Sequence, residues 1–265
     1  MKIGIMGCGW LGFPLAKVLI DKEHQVYGTT TSTSKLQVLL QSGIKAFLIA
    51  ANETGIEGDI QSFLKPLDVL VINIPPRLRG RNHESYVSKI KHLVHEIEKS
   101  PVKKVLFIGS TAIYANDNSI VTENTIPVPE TESGTQLLAV EKLLTNNKNF
   151  KTTILRFGGL FGADRHPANF LSGRKNVANP LAPVNLIHLT DCIGIITTII
   201  NNEVWGEQFN AAHPEHPLKQ EYYTKKSLLA GIDPPEFSTE NKSWGKTIDS
   251  GKLTNKFGYK FMVKL

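Results

Sequence analysis

The sequence predicts an α/β protein with a doubly wound parallel sheet and a small C-terminal lobe, and two observations support this fold class. Runs rich in Val, Ile, Leu and Phe are apolar nearly throughout, as are strands that are covered on both faces. Helix-like segments lie between these runs, and such alternation produces right-handed crossovers and a parallel sheet. The predicted strands are Lys2–Gly7, Gln25–Thr30, Lys45–Ala50, Asp68–Ile74, Lys103–Ser110 and Thr152–Phe157. The predicted helices are Leu11–Asp21, Ser34–Ser42, His83–Lys99 and Thr135–Asn146.

The alternation becomes less regular after Gly158. A strand at Asn185–Leu189, a helix at Asp191–Asn201 and a strand at Glu207–Ala211 are still recognisable, whereas the stretches around them are rich in Pro and Gly. We therefore expect a first domain over residues 1–161 and a substrate-side lobe over residues 162–265, with strands near 185–189 and 207–211 rejoining the sheet.

Composition excludes several classes of protein. The chain has 265 residues, of which 41% are hydrophobic and 20% charged, which is typical of a globular protein. The net charge of +6 favours small anionic ligands, but the basic residues are scattered and form no arm for nucleic acid. The longest apolar run, Cys192–Ile200, is too short to cross a membrane. Because Cys8 and Cys192 do not suggest a disulfide framework, we expect a cytoplasmic protein.

A glycine pattern at the first strand–helix turn predicts a dinucleotide site of the Rossmann kind. The first strand runs directly into Gly7-x-Gly9-x-x-Gly12, and an amphipathic helix follows. Gly7 permits a tight turn, Gly9 lets the backbone approach a pyrophosphate, and Gly12 allows the helix to pack closely on the strand. The helix N-terminus then offers free N–H groups and the positive end of its dipole to the phosphates.

The second strand bears on which dinucleotide is bound. A site for NAD normally carries Asp or Glu at the end of this strand, to bind the ribose 2′-hydroxyl. Residues 25–35 contain no carboxylate and are rich in Thr and Ser before Lys35, which favours the 2′-phosphate of NADP, with NAD as the alternative. Ser32 or Ser34 would also serve as the cap of the next helix. The candidate cofactor contacts are Gly7, Gly9, Trp10, Leu11, Gly12, Thr30, Thr31, Ser32, Lys35, Ile74 and Pro75.

Three segments together resemble the extended short-chain dehydrogenase/reductase family, which includes NAD-dependent epimerases and dehydratases. They are VLFIGSTAIY at 105–114, LRFGGLFG at 155–162, similar to the family's LRxxxxYG stretch, and NLIHLTD at 185–191. The resemblance extends over essentially the whole chain. It implies an NAD(P)-dependent oxidoreductase, epimerase or dehydratase that acts on a small polar substrate such as a nucleotide sugar. It also implies a homodimer that pairs the helices His83–Lys99 and Thr135–Asn146.

The chain departs from this family at the proton-transfer pair. The family carries Tyr-x-x-x-Lys in the helix after the fifth strand, where Lys lowers the pKa of Tyr. Counting back from Glu141, which matches the family's helix Glu, places Ser133 at the Tyr position and Leu137 at the Lys position. A literal match at Tyr222 and Lys226 lies beyond the last predicted strand of the sheet, and we interpret it as a chance match. The alternative function is therefore a catalytically silent NADP-binding sensor or scaffold.

The remaining candidates lie where parallel sheets bind ligands, beyond the carboxyl ends of strands. Ser110 and Tyr114 are the candidate catalytic residues, and Thr111, Arg165 and His166 are candidate substrate contacts. Each has a structural alternative: Ser110 would bond a backbone group, Tyr114 would pack its ring, and Arg165 would be a surface residue. We expect no metal site, since the pair His213 and His216 lacks further ligands.

Overall fold

The computed structural model describes residues 1–76, 84–162, 164–239 and 243–265. The strands are β1 Lys2–Met6, β2 Gln25–Thr30, β3 Lys45–Leu48, β4 Ala50–Asn52, β5 Gly55–Glu57, β6 Val69–Ile72, β7 Lys104–Ser110, β8 Ile120–Val121, β9 Lys151–Phe157, β10 Gly159–Phe161, β11 Leu186–His188, β12 Gln208–Ala211 and β13 Thr247–Ile248. The helices are α1 Gly12–Asp21, α2 Thr33–Gln41, α3 Ile60–Leu64, α4 Tyr86–Glu98, α5 Glu132–Thr145, α6 Leu189–Asn201, α7 Lys219–Leu229 and α8 Gly251–Phe257. Short 3-10 turns occupy Thr111–Ile113 and Pro167–Phe170.

A seven-stranded parallel sheet confirms the predicted α/β class. Its strand order is β12-β9-β7-β6-β1-β2-β3. The chain leaves β1 toward β2 on one side and later returns to β6 on the other, so the strand order reverses next to β1. Open parallel sheets bind their ligands at such a reversal point. The loop that follows β1 therefore lies where this fold places a ligand.

The central strands form where apolar residues occur without interruption. All of β6 is buried, and Ile3 and Ile5 of β1 are fully buried beside it. In α4 the buried residues recur at helical spacing, so one face of the helix packs inward. The predicted start of this helix, His83, lies outside the described residues, and the observed helix begins at Tyr86 after the cap Ser85.

The described residues divide into two compact units. Unit 1 comprises residues 1–113, 129–156 and 195–208, and unit 2 comprises 114–128, 157–194 and 209–265, apart from the residues that the structure does not describe. The sequence predicted a single boundary at residue 161, whereas the chain alternates between the two units. The chain enters unit 2 at Tyr114, after the 3-10 turn that follows β7, and enters it again at Phe157, the last residue of β9.

The strand near 185–189 does not rejoin the large sheet as predicted. It forms β11, which pairs in parallel with β10 in a separate two-stranded sheet, whereas the strand near 207–211 joins the edge of the large sheet as β12. The chain turns at Gly158, where a Cβ atom would lie 2.6 Å from the Asn185 carbonyl oxygen. This close backbone approach diverts the chain after β9 toward β11.

None of the helices in the described part of the chain has both the length and the apolar character needed to span a membrane.

Candidate functional site

The glycine loop after β1 has the geometry of a phosphate cradle. Gly7 has φ of 107°, and a Cβ atom there would lie 2.6 Å from the Asn73 carbonyl oxygen. A Cβ atom at Gly12 would overlap the Gly7 carbonyl oxygen, so α1 can approach the strand only with glycine at this position. At Gly9, by contrast, no heavy atom of the described residues other than Gly9 and its two chain neighbours lies within 4 Å of a Cβ position. The space over Gly9 is open, as a site for a pyrophosphate requires.

The start of α1 differs from the starts of the other helices that begin in unit 1. Among the described residues, no side chain caps α1 and no acidic residue lies in its first turn. The other helices that begin in this unit are each capped by the side chain of the preceding residue. These capping residues are Ser32 for α2, Asp59 for α3, Ser85 for α4 and Thr131 for α5. The N-terminus of α1 thus keeps its electrostatic attraction for an anionic group.

Two residues that the sequence analysis missed hold the glycine loop in place. The Gly7 N–H donates to the Thr29 hydroxyl at 3.0 Å, and the side-chain amide of Asn73 donates to the Gly7 carbonyl at 3.0 Å. The only sequence signal for either residue is a polar side chain at the end of an otherwise apolar strand.

The end of β2 supplies hydroxyl groups and no carboxylate. Thr30 is buried and its hydroxyl accepts a hydrogen bond from the Ser32 N–H, while Thr31 and Lys35 are exposed. The Ser32 hydroxyl caps α2 by accepting from the Lys35 N–H. Ser32 therefore has the capping role that was one of its two predicted roles, and a cofactor contact at this residue stays a prediction.

The cysteine within the glycine loop is a packing residue. Cys8 is buried, and its sulfur lies 2.5 Å from where a Cβ atom of Gly28 would be. Burial raises the pKa of the Cys8 thiol to about 12, although a backbone hydrogen bond at Thr29 opposes this. A thiol with so high a pKa is not a nucleophile at neutral pH.

Ser110 ends β7 and lies half-buried in unit 1. Its hydroxyl oxygen accepts a hydrogen bond from the Ala112 N–H at 3.2 Å, which is the structural role expected of a strand-end serine. Thr111, the neighbouring substrate candidate, is buried. The bond at Ser110 uses a lone pair of the oxygen, so the hydroxyl proton can still be donated to another group.

The two positions that the sequence count assigned to the missing Tyr and Lys lie in α5. Ser133 is half-buried, and Leu137 is a core residue with 4% of its surface exposed. Between them, Gly134 brings the helix against the turn after β7, since a Cβ atom there would lie 2.5 Å from the Ala112 carbonyl oxygen. Neither Ser133 nor Leu137 offers an acid of the strength of a phenol with a neighbouring ammonium group.

Tyr114 belongs to unit 2, and only 1% of its surface is exposed. Its hydroxyl donates to Asn210 Oδ1 at 3.1 Å, and its carbonyl accepts from the buried ammonium of Lys246 at 2.5 Å. These contacts favour the structural alternative, in which the ring packs and the hydroxyl bonds locally. A catalytic role for Tyr114 stays a prediction.

The two other substrate candidates also lie in unit 2. The exposed guanidinium of Arg165 lies 5.7 Å from the centre of the Phe170 ring, and its backbone forms an isolated bridge with Gly162. His166 precedes the turn Pro167–Phe170, and its Nδ1 atom is buried without a hydrogen-bond partner among the residues that the structure describes. Unpartnered buried polar atoms are uncommon, so His166 is one of the few side chains here that could gain a partner from a ligand.

The literal Tyr-x-x-x-Lys match lies on α7 in unit 2. Lys226 places its ammonium 5.5 Å from the centre of the Tyr222 ring, and the Tyr222 hydroxyl has no hydrogen-bond partner within the described part of the chain. Burial raises the pKa of this phenol, and the nearby Tyr223 adds to the effect. The ammonium therefore does not activate Tyr222 as an acid.

No group of three or more His, Cys, Asp or Glu side chains in the described ranges is arranged to bind a metal ion.

Comparisons with known proteins place this geometry in a family. The model of the NAD dependent epimerase/dehydratase family matches residues 3–212. Protein YeeZ of Escherichia coli K12 is 34% identical over 262 residues, which cover 98% of this chain and 95% of that protein.

Solved structures show the same fold at low identity. The UDP-glucuronic acid 4-epimerase from Bacillus cereus, in complex with UDP-glucuronic acid and NAD, superposes with a TM-score of 0.81 at 18% identity, covering 100% of this chain and 95% of that one. A short-chain dehydrogenase/reductase superfamily protein from Agrobacterium tumefaciens with bound NAD gives 0.78 at 13% identity, covering 100% and 93%. The predicted resemblance is thereby confirmed, and the chain belongs to the NAD dependent epimerase/dehydratase family.

Proposed function

We propose that this protein is an NADP-preferring oxidoreductase, epimerase or dehydratase that acts on a small polar substrate of the nucleotide-sugar class. The observation that carries the proposal is the glycine loop, which is open over Gly9 and is followed by an uncapped helix. Family membership and the nucleotide-sugar ligand of the Bacillus cereus epimerase support the substrate class.

The residues of unit 1 fit a nicotinamide dinucleotide. Gly9, Trp10 and Leu11 would present the loop backbone to its pyrophosphate, and Ile74 and Pro75 follow the neighbouring strand β6. When bound, the nicotinamide supplies a hydride acceptor and donor. The residues of the chain would bind and orient the cofactor and the substrate, and they would donate or hold the protons that the reaction transfers.

The preference for NADP rests on the polar loop after β2. The exposed Thr31 and Lys35 could accept a 2′-phosphate, and no carboxylate in residues 25–35 would repel it. The cation and the hydroxyl groups favour an anion there. NAD is the alternative cofactor, and it is bound in the related structures.

Ser110 is the residue that we place at the reacting group of the substrate, since its hydroxyl lies at the carboxyl end of a central strand and can still donate its proton. Thr111 is placed beside it, and Arg165 and His166 in unit 2 stay the substrate contacts that the sequence predicts. Because Tyr114 is buried and bonded to Asn210, we propose a structural role for it in place of the catalytic role that the sequence predicts.

One observation favours a second function. The position that we count as the family's Lys is the buried Leu137, so on that count no cation stands there to activate an acid. A protein that binds the dinucleotide and senses its redox state would need no such group. This sensor is the alternative to an enzyme.

Assembly and location are part of the same proposal. In unit 1 the helices α4 and α5 pack against each other, which supports a homodimer that pairs both helices with those of a second copy. Light scattering at micromolar concentration tests this, and a monomeric mass would contradict it.

Both cysteines are free and buried, which supports a reducing compartment such as the cytoplasm.

The deciding experiment is a titration with NADPH, followed by fluorescence, for the wild type and Gly9→Val. We expect the variant to keep the wild-type melting temperature, because the space at Gly9 is open, and to lose binding because the valine side chain fills the pyrophosphate site. Equal binding by both proteins would overturn the cofactor site. Two assays then distinguish the enzyme from the sensor: oxidation of NADPH by a panel of aldehydes reports an oxidoreductase, and conversion of nucleotide sugars in the presence of NADP, followed by analysis of the products, reports an epimerase or dehydratase, which leaves the cofactor unchanged overall.

A further inference from the structure

The Gly7 peptide groups are bonded from both neighbouring strands. From β2, Thr29 accepts the Gly7 N–H at 3.0 Å with its hydroxyl and the Cys8 N–H at 2.9 Å with its carbonyl. From the end of β6, the side-chain amide of Asn73 donates to the Gly7 carbonyl at 3.0 Å, and the Asn73 N–H donates to the Met6 carbonyl at 2.9 Å. These bonds fix the backbone of Gly7 at a φ of 107°. They offset the conformational entropy that a glycine loses when it is ordered, which is larger than for other residues.

The segment that carries Asn73 is itself held by a hydrogen bond from helix α4, and α4 is bonded in turn to α5. The hydroxyl of Tyr86, at the start of α4, donates to the carbonyl of Ile74 at 2.7 Å. The Tyr86 N–H donates to Gln136 Oε1 at 2.7 Å, which joins the start of α4 to α5. Tyr86 is fully buried, so its hydroxyl has no competing contact with bulk water.

These contacts form one continuous path through unit 1. The path runs from Gln136 on α5 through Tyr86 to Ile74, and from the adjacent Asn73 to the carbonyl of Gly7. The side chains and peptide groups on this path are uncharged. Burial raises the pKa of the Tyr86 phenol, so the hydroxyl keeps its proton and remains a hydrogen-bond donor at neutral pH.

We propose that Asn73 and Tyr86 are positioning residues for the dinucleotide, which they affect by fixing the glycine loop in its binding conformation before the ligand arrives. Neither residue is placed against the ligand. The inference rests on the proposed function, since it requires a dinucleotide at the glycine loop. A loop that is already ordered loses less conformational entropy on binding, so the two residues increase affinity through preorganisation.

The test uses the dissociation constants of NADPH and ADP-ribose for Asn73→Leu, Tyr86→Phe and the double variant, well below their melting temperatures. ADP-ribose contains the pyrophosphate but no nicotinamide. We expect Asn73→Leu to weaken both ligands about tenfold and Tyr86→Phe to weaken both about threefold. The double variant should bind about as weakly as Asn73→Leu alone, because Tyr86 acts on the glycine loop through the segment that carries Asn73.

Matched controls separate positioning from a general loss of stability. Asn52→Leu removes a side-chain amide that donates to Glu57, and Tyr27→Phe removes a hydroxyl that accepts from Lys45; both lie in unit 1. We expect both controls to lose stability without losing affinity. If Asn73→Leu does not fold, Tyr86→Phe still decides, because it removes a single oxygen atom.

The outcomes distinguish this inference from the proposed function. Failure of the wild type to bind either ligand, or equal binding by Gly9→Val, overturns both. If the wild type binds and Gly9→Val does not, while Asn73→Leu and Tyr86→Phe bind as tightly as the wild type, the positioning role alone is overturned.

Discussion

The carboxylate of Glu141 and the guanidinium of Arg156 form a buried ion pair, with Arg156 Nη2 2.8 Å from Glu141 Oε2 and Nε 3.1 Å from both carboxylate oxygens. Arg156 also donates to Gln208 at 2.7 Å. The carboxylate lies against the backbone of β7, since a Cβ atom at Gly109 would be 2.9 Å from Glu141 Oε1. The pair therefore connects α5 to β9, and its carboxylate packs against β7, the strand that ends at Ser110.

Arg156→Leu should destabilise the protein by about 3–5 kcal/mol, because it leaves the Glu141 carboxylate buried without its partner. Burial already raises the pKa of this carboxyl against the opposing effect of Arg156. The double variant Arg156→Met with Glu141→Leu should recover most of the loss, since it removes both charges. Urea denaturation measures both effects. If Arg156→Leu were as stable as the wild type, the ion pair of Glu141 and Arg156 would not be what holds α5 in place.

Cofactor preference should respond to charge at the exposed Thr31. Thr31→Asp places a carboxylate in the loop that we assign to the 2′-phosphate, and we expect the dissociation constant of NADP to rise at least about tenfold while that of NAD changes little. Lys35→Ala should weaken NADP in the same selective way. Calorimetry at two salt concentrations checks the cause, because an ionic contact weakens as salt rises.

The control for this charge effect is Thr54→Asp, which adds the same charge at another exposed position of unit 1. We expect it to leave the ratio of the two dissociation constants unchanged. Wild-type protein that binds NAD as tightly as NADP would contradict the proposed preference.

Ser110 and Tyr114 should behave differently when their hydroxyl groups are removed. If the protein turns over a substrate, Ser110→Ala should lower kcat about a hundredfold to ten-thousandfold without changing NADPH affinity. Tyr114→Phe should instead cost about 1 kcal/mol of stability, because Asn210 loses its hydrogen-bond partner. Its kcat should fall far less than that of Ser110→Ala.

Steady-state kinetics and thermal denaturation of the same preparations separate the two roles. A loss of kcat in Tyr114→Phe as large as in Ser110→Ala, with unchanged stability, would return Tyr114 to the catalytic role that the sequence first suggested.

The spacing of the glycines predicted the glycine loop, whereas no local pattern predicts Thr29 and Asn73, the two residues that hold the loop in place. Gly7, Gly9 and Gly12 lie close together in the sequence, so a short glycine motif reveals them. Thr29 and Asn73 reach Gly7 across 22 and 66 residues, and the pairing of their strands with β1 brings them together. That pairing depends on tertiary structure, which periodicity does not encode.

Dependence on tertiary contacts also explains where the structure of unit 2 differs from the sequence-based prediction. The apolar run near 185–189 was correctly predicted as a strand, but its partner depends on the turn at Gly158 and the close approach of Asn185. Helix α7 has mostly polar residues and no strong apolar stripe, so periodicity did not reveal it. Tyr114 was predicted to face a cleft, and only the contact with Asn210, 96 residues away, places its hydroxyl in the interior.

His216 should make the stability of the protein depend on pH. Burial lowers the pKa of its imidazole below the ordinary value of 6.5, His213 acts in the same direction, and the Val184 carbonyl and Asp249 oppose the shift. Between the lowered pKa and 6.5 the unfolded chain binds more protons than the folded one, so the free energy of unfolding falls as the pH falls through this range. We expect His216→Gln to flatten the stability profile measured by urea denaturation between about pH 5 and 7, whereas His95→Gln, on the exposed side of α4, should leave it unchanged. A profile in His216→Gln as steep as that of the wild type would show that another group is responsible.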